Sequence, residues 1–247
     1  MKKYSFRRAA SLLVAGALAL GLAGCGKSPQ PADSSASSQA VQSTPHVQPQ
    51  AAGEYRAMWV SYLEWGSFDF SSEDAFTTQV QTLMQNCLSL GCTTVIAQVR
   101  PFADALYPSA LFPWSHVLSG AQGADPGFDP LAVLVREAHA CGLQLEAWLN
   151  PYRVALNAAT PGSFAENSLL YTHPDWVKAN GEGYYLNPAL PEVRDYICEG
   201  VAEIVQNYEV DGIHYDDYFY PTTDPAFDSQ DYADANTALS LEDWRRE

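Results

Sequence analysis

The chain has 247 residues, with 13 Lys and Arg against 29 Asp and Glu, a formal net charge of −16 at pH 7. So acidic a surface repels phosphate backbones and anionic lipid headgroups, which argues against a nucleic-acid partner and leaves neutral or cationic polymers as acceptable ones. The imbalance deepens to −20 once the first 24 residues are set aside, because they hold four of the basic residues and no acid.

In chain order, Lys2, Lys3, Arg7 and Arg8 precede an apolar, small-residue run from Ala9 to Gly24. This is the charge-then-apolar layout of a secretory signal, and the run is shorter than the ~20 residues a membrane-spanning helix needs. It closes on Leu22-Ala23-Gly24-Cys25, which resembles the bacterial lipobox, so residues 1–24 are expected to be a lipoprotein signal peptide. Cleavage would leave Cys25 as the N-terminus, carrying acyl chains that hold the protein on the extracytoplasmic face of a cell membrane. Residues 25–53 are rich in Ser, Gln, Pro and Ala, with almost no aromatic or branched apolar side chain. Such a segment cannot bury enough surface to offset its ordering entropy and reads as a flexible tether. The globular domain is expected over residues 54–247.

Within it, Arg56 to Tyr62 reads as a short apolar strand. A helix follows, capped by Ser71 or Ser72, with Glu73 and Asp74 in its first turn and Val80, Leu83, Met84, Cys87 and Leu88 at helical spacing up to Gly91. Thr93 to Val99 is a near-continuous branched run, as expected of a strand buried on both faces. Asp129-Pro130 opens a second helix that ends before Gly142, and Leu143 to Leu149 is a third strand. Pro191-Glu192 opens a third helix reaching about Asn207, Val210 to Tyr215 is a fourth strand, and a fourth helix begins near Trp244. Four further cysteines, Cys87, Cys92, Cys141 and Cys198, match no zinc or redox spacing. An exported location permits disulfides, but the residues read as small buried side chains.

Strand and helix alternate with helix-length crossovers, which predicts parallel neighbours in an α/β fold. The long connections follow strands, and they carry the Trp, Tyr, Asn, Asp and Arg residues. That is the layout of the active face of a TIM-type (β/α)8 barrel. A doubly wound sheet is the alternative, but Trp65-Gly66-Ser67 is no Gly-rich phosphate turn. About 194 globular residues fall below the ~250 of a complete barrel, so only about the first four β/α units are expected here, in a chain cut short at its C-terminus.

Three clusters could carry chemistry. In the run from Asp211 to Pro221, strand alternation puts His214, Asp216 and Tyr218 on one face and Ile213, Tyr215 and Asp217 on the other. Two adjacent carboxylates at the C-terminal end of a barrel strand are costly unless they act there; a helix cap or an Arg pair is the alternative. The second strand ends in Gln98, Arg100, Asp104 and Tyr107, with Gln98 and Arg100 expected on one face. Arg100 could bind sugar hydroxyls or simply pair with Asp104 to fix the loop. The third strand offers Glu146, Trp148 and Asn150 on one face, then Tyr152 and Arg153, with Glu146 deeper than the rest. Aromatic rings gathered after the strands suit pyranose faces, and with the acids and amides they suggest a carbohydrate cleft. No His pair stands at ligand spacing, so no metal site and no cofactor is expected.

The stretches RAMWVS, QVRPFADALYPS, EAWLNPYR, YYLNPALPEVRDYI and DGIHYDDYFYP, in this order, resemble the glycosyl-hydrolase-like family ten of bacterial lipoproteins. The resemblance covers residues 56–247 and implies a TIM-type barrel and glycosidase activity. A characterised relative acts on peptidoglycan glycan strands stripped of their stem peptides. Carried over residue by residue, the resemblance puts the acidic motif on Asp216 and Asp217, and other cleft motifs on Arg100, Asp104, Asn150, Tyr152 and Arg153. The run from Asp211 is also similar to the chitinase D-x-x-D-x-D-x-E pattern, but His214 and Tyr218 replace an acid each, which speaks against a substrate-assisted mechanism.

The expectation is therefore a lipid-anchored glycoside hydrolase of a cell-envelope polysaccharide, with Asp216 and Asp217 catalytic. Arg100, Asp104, Trp148, Asn150, Tyr152, Arg153, His214 and Tyr218 would bind substrate. A non-catalytic glycan-binding lipoprotein and a metal-dependent carbohydrate esterase are the alternatives.

Overall fold

The computed structural model describes residues 53–156, 164–216 and 220–246. Strand β1 (Ala57–Val60) stops short of the run expected to reach Tyr62, because Ser61 and Glu64 form a capping box. The Ser61 hydroxyl accepts from the Leu63 N–H at 3.3 Å, and the Glu64 carboxylate accepts from the Ser61 N–H at 2.7 Å. This opens the single-turn helix α1 (Tyr62–Trp65). Helix α2 (Glu73–Ser89) starts at Ser72, whose hydroxyl accepts from the Ala75 N–H at 3.2 Å. After β2 (Thr94–Arg100) and the short α3 (His116–Ser119), helix α4 (Pro130–Ala140) starts at Asp129, which accepts from the Ala132 N–H at 3.0 Å. Caps of this kind contribute about 1 kcal/mol each, and they place these helix starts where the sequence puts them.

Strand β3 (Gln144–Leu149) is followed by four short elements absent from the sequence expectation: β4 (Arg153–Ala155), the one-turn α5 (Leu169–Thr172), and the hairpin strands β5 (Val177–Asn180) and β6 (Gly183–Leu186). β4, β6 and β5 form a small antiparallel sheet in that order. The hairpin loop is Gly181-Glu182, with Gly181 at φ +59°, the positive φ that a two-residue hairpin turn requires. Helix α6 (Pro191–Asn207), strand β7 (Gly212–Tyr215), α7 (Ser229–Ala235) and α8 (Leu241–Trp244) complete the described chain.

The main sheet is parallel with order β1-β2-β3-β7, the order of the chain, and its helices pack on one face. Val95, Ala97, Val99, Leu145, Ala147 and Leu149 bury that face against Phe76, Val80 and Met84 of α2, Leu131, Leu134 and Ala138 of α4, and Ile204 of α6. A doubly wound sheet would divide its helices between both faces. A sheet in sequential order with helices on one side is an arc of a TIM-type barrel, and the described residues form four of its β/α units. The opposite face, the concave side of the barrel, carries Trp59, Ile96, Gln98, Glu146, Trp148 and His214 in register: Trp59 beside Ile96, Ile96 beside Glu146, and Gln98 beside Trp148, itself beside His214.

The cysteines depart from expectation at one position. Cys87 is buried and Cys92 and Cys141 are half-buried, but Cys198 lies on the exposed side of α6, because the buried stripe of that helix runs through Val193, Ile197, Gly200 and Ile204. All four thiols are free. Among the described residues no helix is long and apolar enough to cross a membrane. Cys25 lies outside the described residues.

Candidate active site

The site is built on the C-terminal ends of β2, β3 and β7. His214 stands opposite Trp148, and Asp216, the residue after next, meets Asn150, which follows β3. A hydrogen-bond chain of fixed polarity runs to this carboxylate. It starts at the Tyr62 backbone N–H, which can only donate and is 2.9 Å from Gln98 Oε1. The Gln98 amide is therefore turned with its Nε2 towards Asn150, whose Oδ1 accepts from it. Asn150 in turn points its Nδ2 at Asp216 Oδ1, 2.7 Å away. Gln98 is 1% exposed and Asn150 3%, so neither amide can exchange these partners for water. The relay delivers a donor to Asp216 and fixes one of its two oxygens, leaving the other free of any bond to Asn150.

Beneath Asp216 lies an aromatic cluster. The Trp59 ring centroid is 5.6 Å from that of Trp148 and 5.5 Å from that of His214, and Trp148 and His214 meet edge to face at 6.1 Å. One layer deeper, Glu146 Oε1 accepts from the Tyr55 hydroxyl at 2.9 Å, and Glu146 Oε2 is 3.8 Å from His214 Nδ1. Burial, then the hydrogen bond and charge of Glu146, push the Tyr55 phenol up to about 12. Gly212 lies opposite Glu146 in the register, and a β-carbon there would come within 3.1 Å of Glu146 Cγ, so the glycine leaves room for the acid. Glu146 is thus the paired, deeper carboxylate that strand alternation predicts.

Two expected site residues occupy other places. Arg100 does not share the face of Gln98. The register slips between them, with Gln98 opposite Trp148 and Arg100 opposite Leu149, and this bulge turns Arg100 to the helix side. There the guanidinium carbon lies 4.5 Å from the Phe112 ring centroid, and the side chain presses on Gly200 of α6. It is 1% exposed, and among the described residues its Nη1 and Nη2 have no hydrogen-bond partner and it makes no ion pair with Asp104. Tyr152 packs on the small core of Val154, Leu186, Val193 and Ile197, where burial pushes its phenol up. Asp104 is fully buried, held by His116 and Gln122 at the edge of a cavity next to the cleft. Arg153 lies with its guanidinium 5.9 Å from the Phe102 ring centroid on the same side. Trp148 is 7% exposed, and its indole Nε1 has no hydrogen-bond partner among the described residues. Asp217 and Tyr218 lie outside the described residues. Among those described, no group of three or more His, Cys, Asp or Glu side chains is arranged to hold a metal ion.

Residues 54–246 match the family described as glycosyl hydrolase-like 10. The chain belongs to this family. Two curated relatives are the glycosyl hydrolase YngK of Bacillus subtilis (strain 168), 38% identical over 206 residues, and the glycosyl hydrolase DigH of Escherichia coli (strain K12), 38% identical over 268. The matches cover 80% and 99% of this chain but 40% of YngK and 60% of DigH, so the chain spans about half the length of these relatives. A solved structure of a noncanonic maltogenic α-amylase, AmyB from Thermotoga neapolitana, overlays 75% of this chain and 44% of its own with a TM-score of 0.43 at 13% identity.

Within this glycosyl hydrolase-like barrel, Asp216 and Asn150 are the pair that alternation brings together and hydrogen bonding ties. His116, Gln122 and the backbone N–H of Tyr62 escape a sequence reading. Each reaches the site through a loop or a cap, and neither strand nor helix periodicity marks such a position. What the arrangement can do is hold a carboxylate with defined orientation at the mouth of a barrel, over a floor of aromatic rings. A carboxylate so held is the kind of group that stabilises positive charge developing on a sugar ring.

Proposed function

We propose that the protein is a lipid-anchored glycoside hydrolase that cleaves O-glycosidic bonds of a cell-envelope polysaccharide, with peptidoglycan glycan strands as the substrate. The observation that carries the reading is the relay from the Tyr62 N–H through Gln98 and Asn150 to Asp216, which positions one carboxylate at the C-terminal end of a barrel strand. Membership of the glycosyl hydrolase-like family supports the reaction class. The resemblance in the five sequence motifs supports the substrate. Asp216 acts as nucleophile or as the group that stabilises an oxocarbenium-like transition state, partnered by a second acid across the scissile bond. The acidic composition supports a neutral or cationic glycan over a nucleic acid as partner.

The reaction is tested by incubating the whole protein with purified glycan strands freed of stem peptides. Shorter fragments bearing new reducing ends are expected. Strands that are bound but left intact would replace the reading with that of a glycan-binding lipoprotein. The anchor is tested separately: Cys25→Ser should move the protein from the membrane to the soluble fraction or stall its processing. Normal processing with unchanged membrane association would refute the lipid attachment.

A further inference from the structure

The turn between α2 and β2 brings two cysteines together. Helix α2 ends at Ser89 with Leu90 as its cap, and Gly91 follows at φ +74°, the left-handed geometry that stops a helix. The Gly91 N–H donates to the Leu88 carbonyl at 2.9 Å, and the Cys92 N–H donates to the Cys87 carbonyl at 2.9 Å. These two bonds define a Schellman motif, in which the side chain three positions before the cap commonly meets the one two positions after it. Here both are cysteines, Cys87 and Cys92. The backbone bond between them also keeps their α-carbons within the ~4.4–6.8 Å that a disulfide spans.

Cys87 is buried in the main core, and Cys92 is half-buried at its edge. The two thiols act on each other directly. Burial first, and then the charge and hydrogen bonding of Cys92, push the Cys87 thiol up to about 11. The other two cysteines have different surroundings: Cys141 Sγ accepts from Gln85 Nε2 at 3.5 Å, and Cys198 is exposed on α6.

The geometry points to Cys87 and Cys92 as a disulfide-forming pair, a covalent clamp between the end of α2 and the entry to β2. Its closure in the cell rests on the exported location proposed above, where disulfide-bearing oxidants act on thiols; the pairing itself does not. The half-buried Cys92 thiolate attacks the disulfide of such an oxidant, and one oxidant sulfur leaves as a thiol. The Cys87 thiolate then attacks the Cys92 sulfur of the mixed disulfide and expels the second oxidant thiol. Two cysteine thiols are oxidised, one oxidant disulfide is reduced to two thiols, and the two protons pass from the first to the second. The second step is the slower, because buried Cys87 is scarce as thiolate, and the same burial shields the closed bond from reductants. The clamp lies before the first residue of β2, at the end of the barrel away from Asp216, where a tie serves stability rather than chemistry.

The test uses the whole purified protein, reduced, incubated with oxidised glutathione at mildly alkaline pH, quenched with acid, alkylated and cut with trypsin. The peptide between the cleavage sites at Arg56 and Arg136 holds Cys87 and Cys92 and no other cysteine. It is expected unalkylated and lighter by two hydrogens. A peptide that keeps two free thiols, carries glutathione or is joined to Cys141 would overturn the pairing. The oxidised protein should also unfold about 3 °C or more above the reduced one, a difference absent from Cys92→Ala. Equal unfolding temperatures would overturn the clamp. The same peptide from protein trapped with acid in cells separates closure from export. The closed pair is expected in protein whose signal has been cleaved, and processed protein with both thiols free would overturn closure in the cell. Unprocessed protein with both thiols free, whose purified form closes the pair, would sink the export reading and leave the clamp standing.

Discussion

Replacing Gly200 by alanine tests where Arg100 sits. A β-carbon on Gly200 would lie 2.3 Å from Arg100 Nη1 and 2.8 Å from Phe112 Cε2. In the interior of an ordinary helix the change favours alanine by about 1 kcal/mol. Here the guanidinium has nowhere to retreat, because it is 1% exposed and already packed at 4.5 Å over the Phe112 ring. Overpacking a dense core costs about 1–3 kcal/mol, and disturbing a desolvated cation–π contact costs up to about 2 kcal/mol more. The unfavourable effects outweigh the helical gain and leave a net destabilisation of about 2 kcal/mol. Urea unfolding of the whole protein, followed by tryptophan fluorescence, should show a lower midpoint at unchanged slope. Adding Phe112→Leu should recover part of the loss. A Gly200→Ala variant as stable as the parent, or more so, would refute the reasoning and return Arg100 to the cleft.

Asn150→Ala removes the last donor of the relay and a hydrogen bond to a charged group worth about 1.5–3 kcal/mol, so turnover should fall by about ten- to a hundredfold with little change in KM. Unchanged turnover would mean that Asp216 needs no positioning by Asn150. Asp228 governs the acid limb of stability. Burial alone would raise its carboxyl, but hydrogen bonds from Arg245, at 2.6 Å to each oxygen, and from Tyr220 outweigh burial and hold it below the usual carboxylate range. A depressed folded-state pKa stabilises above the unfolded value of about 3.9 and ceases to do so as pH falls through the folded value. Arg245→Gln should therefore cost about 3 kcal/mol at pH 7 and flatten the dependence of stability on pH below about 4, as read by denaturant midpoints across that range. Parallel pH curves for the two proteins would contradict this.

The elements legible in the sequence are those whose ends are written locally. Ser72, Asp129-Pro130 and Pro191 start the three long helices where the structure has them, and the branched run of Thr94–Arg100 is buried throughout as a two-sided strand must be. Alternation puts Asp216 on one face with His214 and Asn150 on one face with Trp148, and the register of β3 with β7 is what brings those two faces together. Arg100 was misplaced because a bulge depends on space elsewhere: Gly200, a hundred positions away, leaves the gap that Arg100 fills. Strands β4, β5 and β6 have three or four residues each, too few for a period, although Gly181-Glu182 marks their hairpin. The partners of Asp104 come from the loop around α3, and their meeting is decided by packing rather than by any local pattern.

The central claim is that the Asp216 cleft performs glycosidic cleavage, and the turnover of Asp216→Asn on glycan strands tests it most directly. The substitution keeps the shape of the side chain and its contact with Asn150 while removing the charge that the transition state needs. Measured on the whole protein beside the parent, kcat should fall by about a thousandfold or more while affinity for the strands stays within a few-fold. Turnover equal to that of the parent would contradict the account and place the chemistry, if any, elsewhere in the barrel.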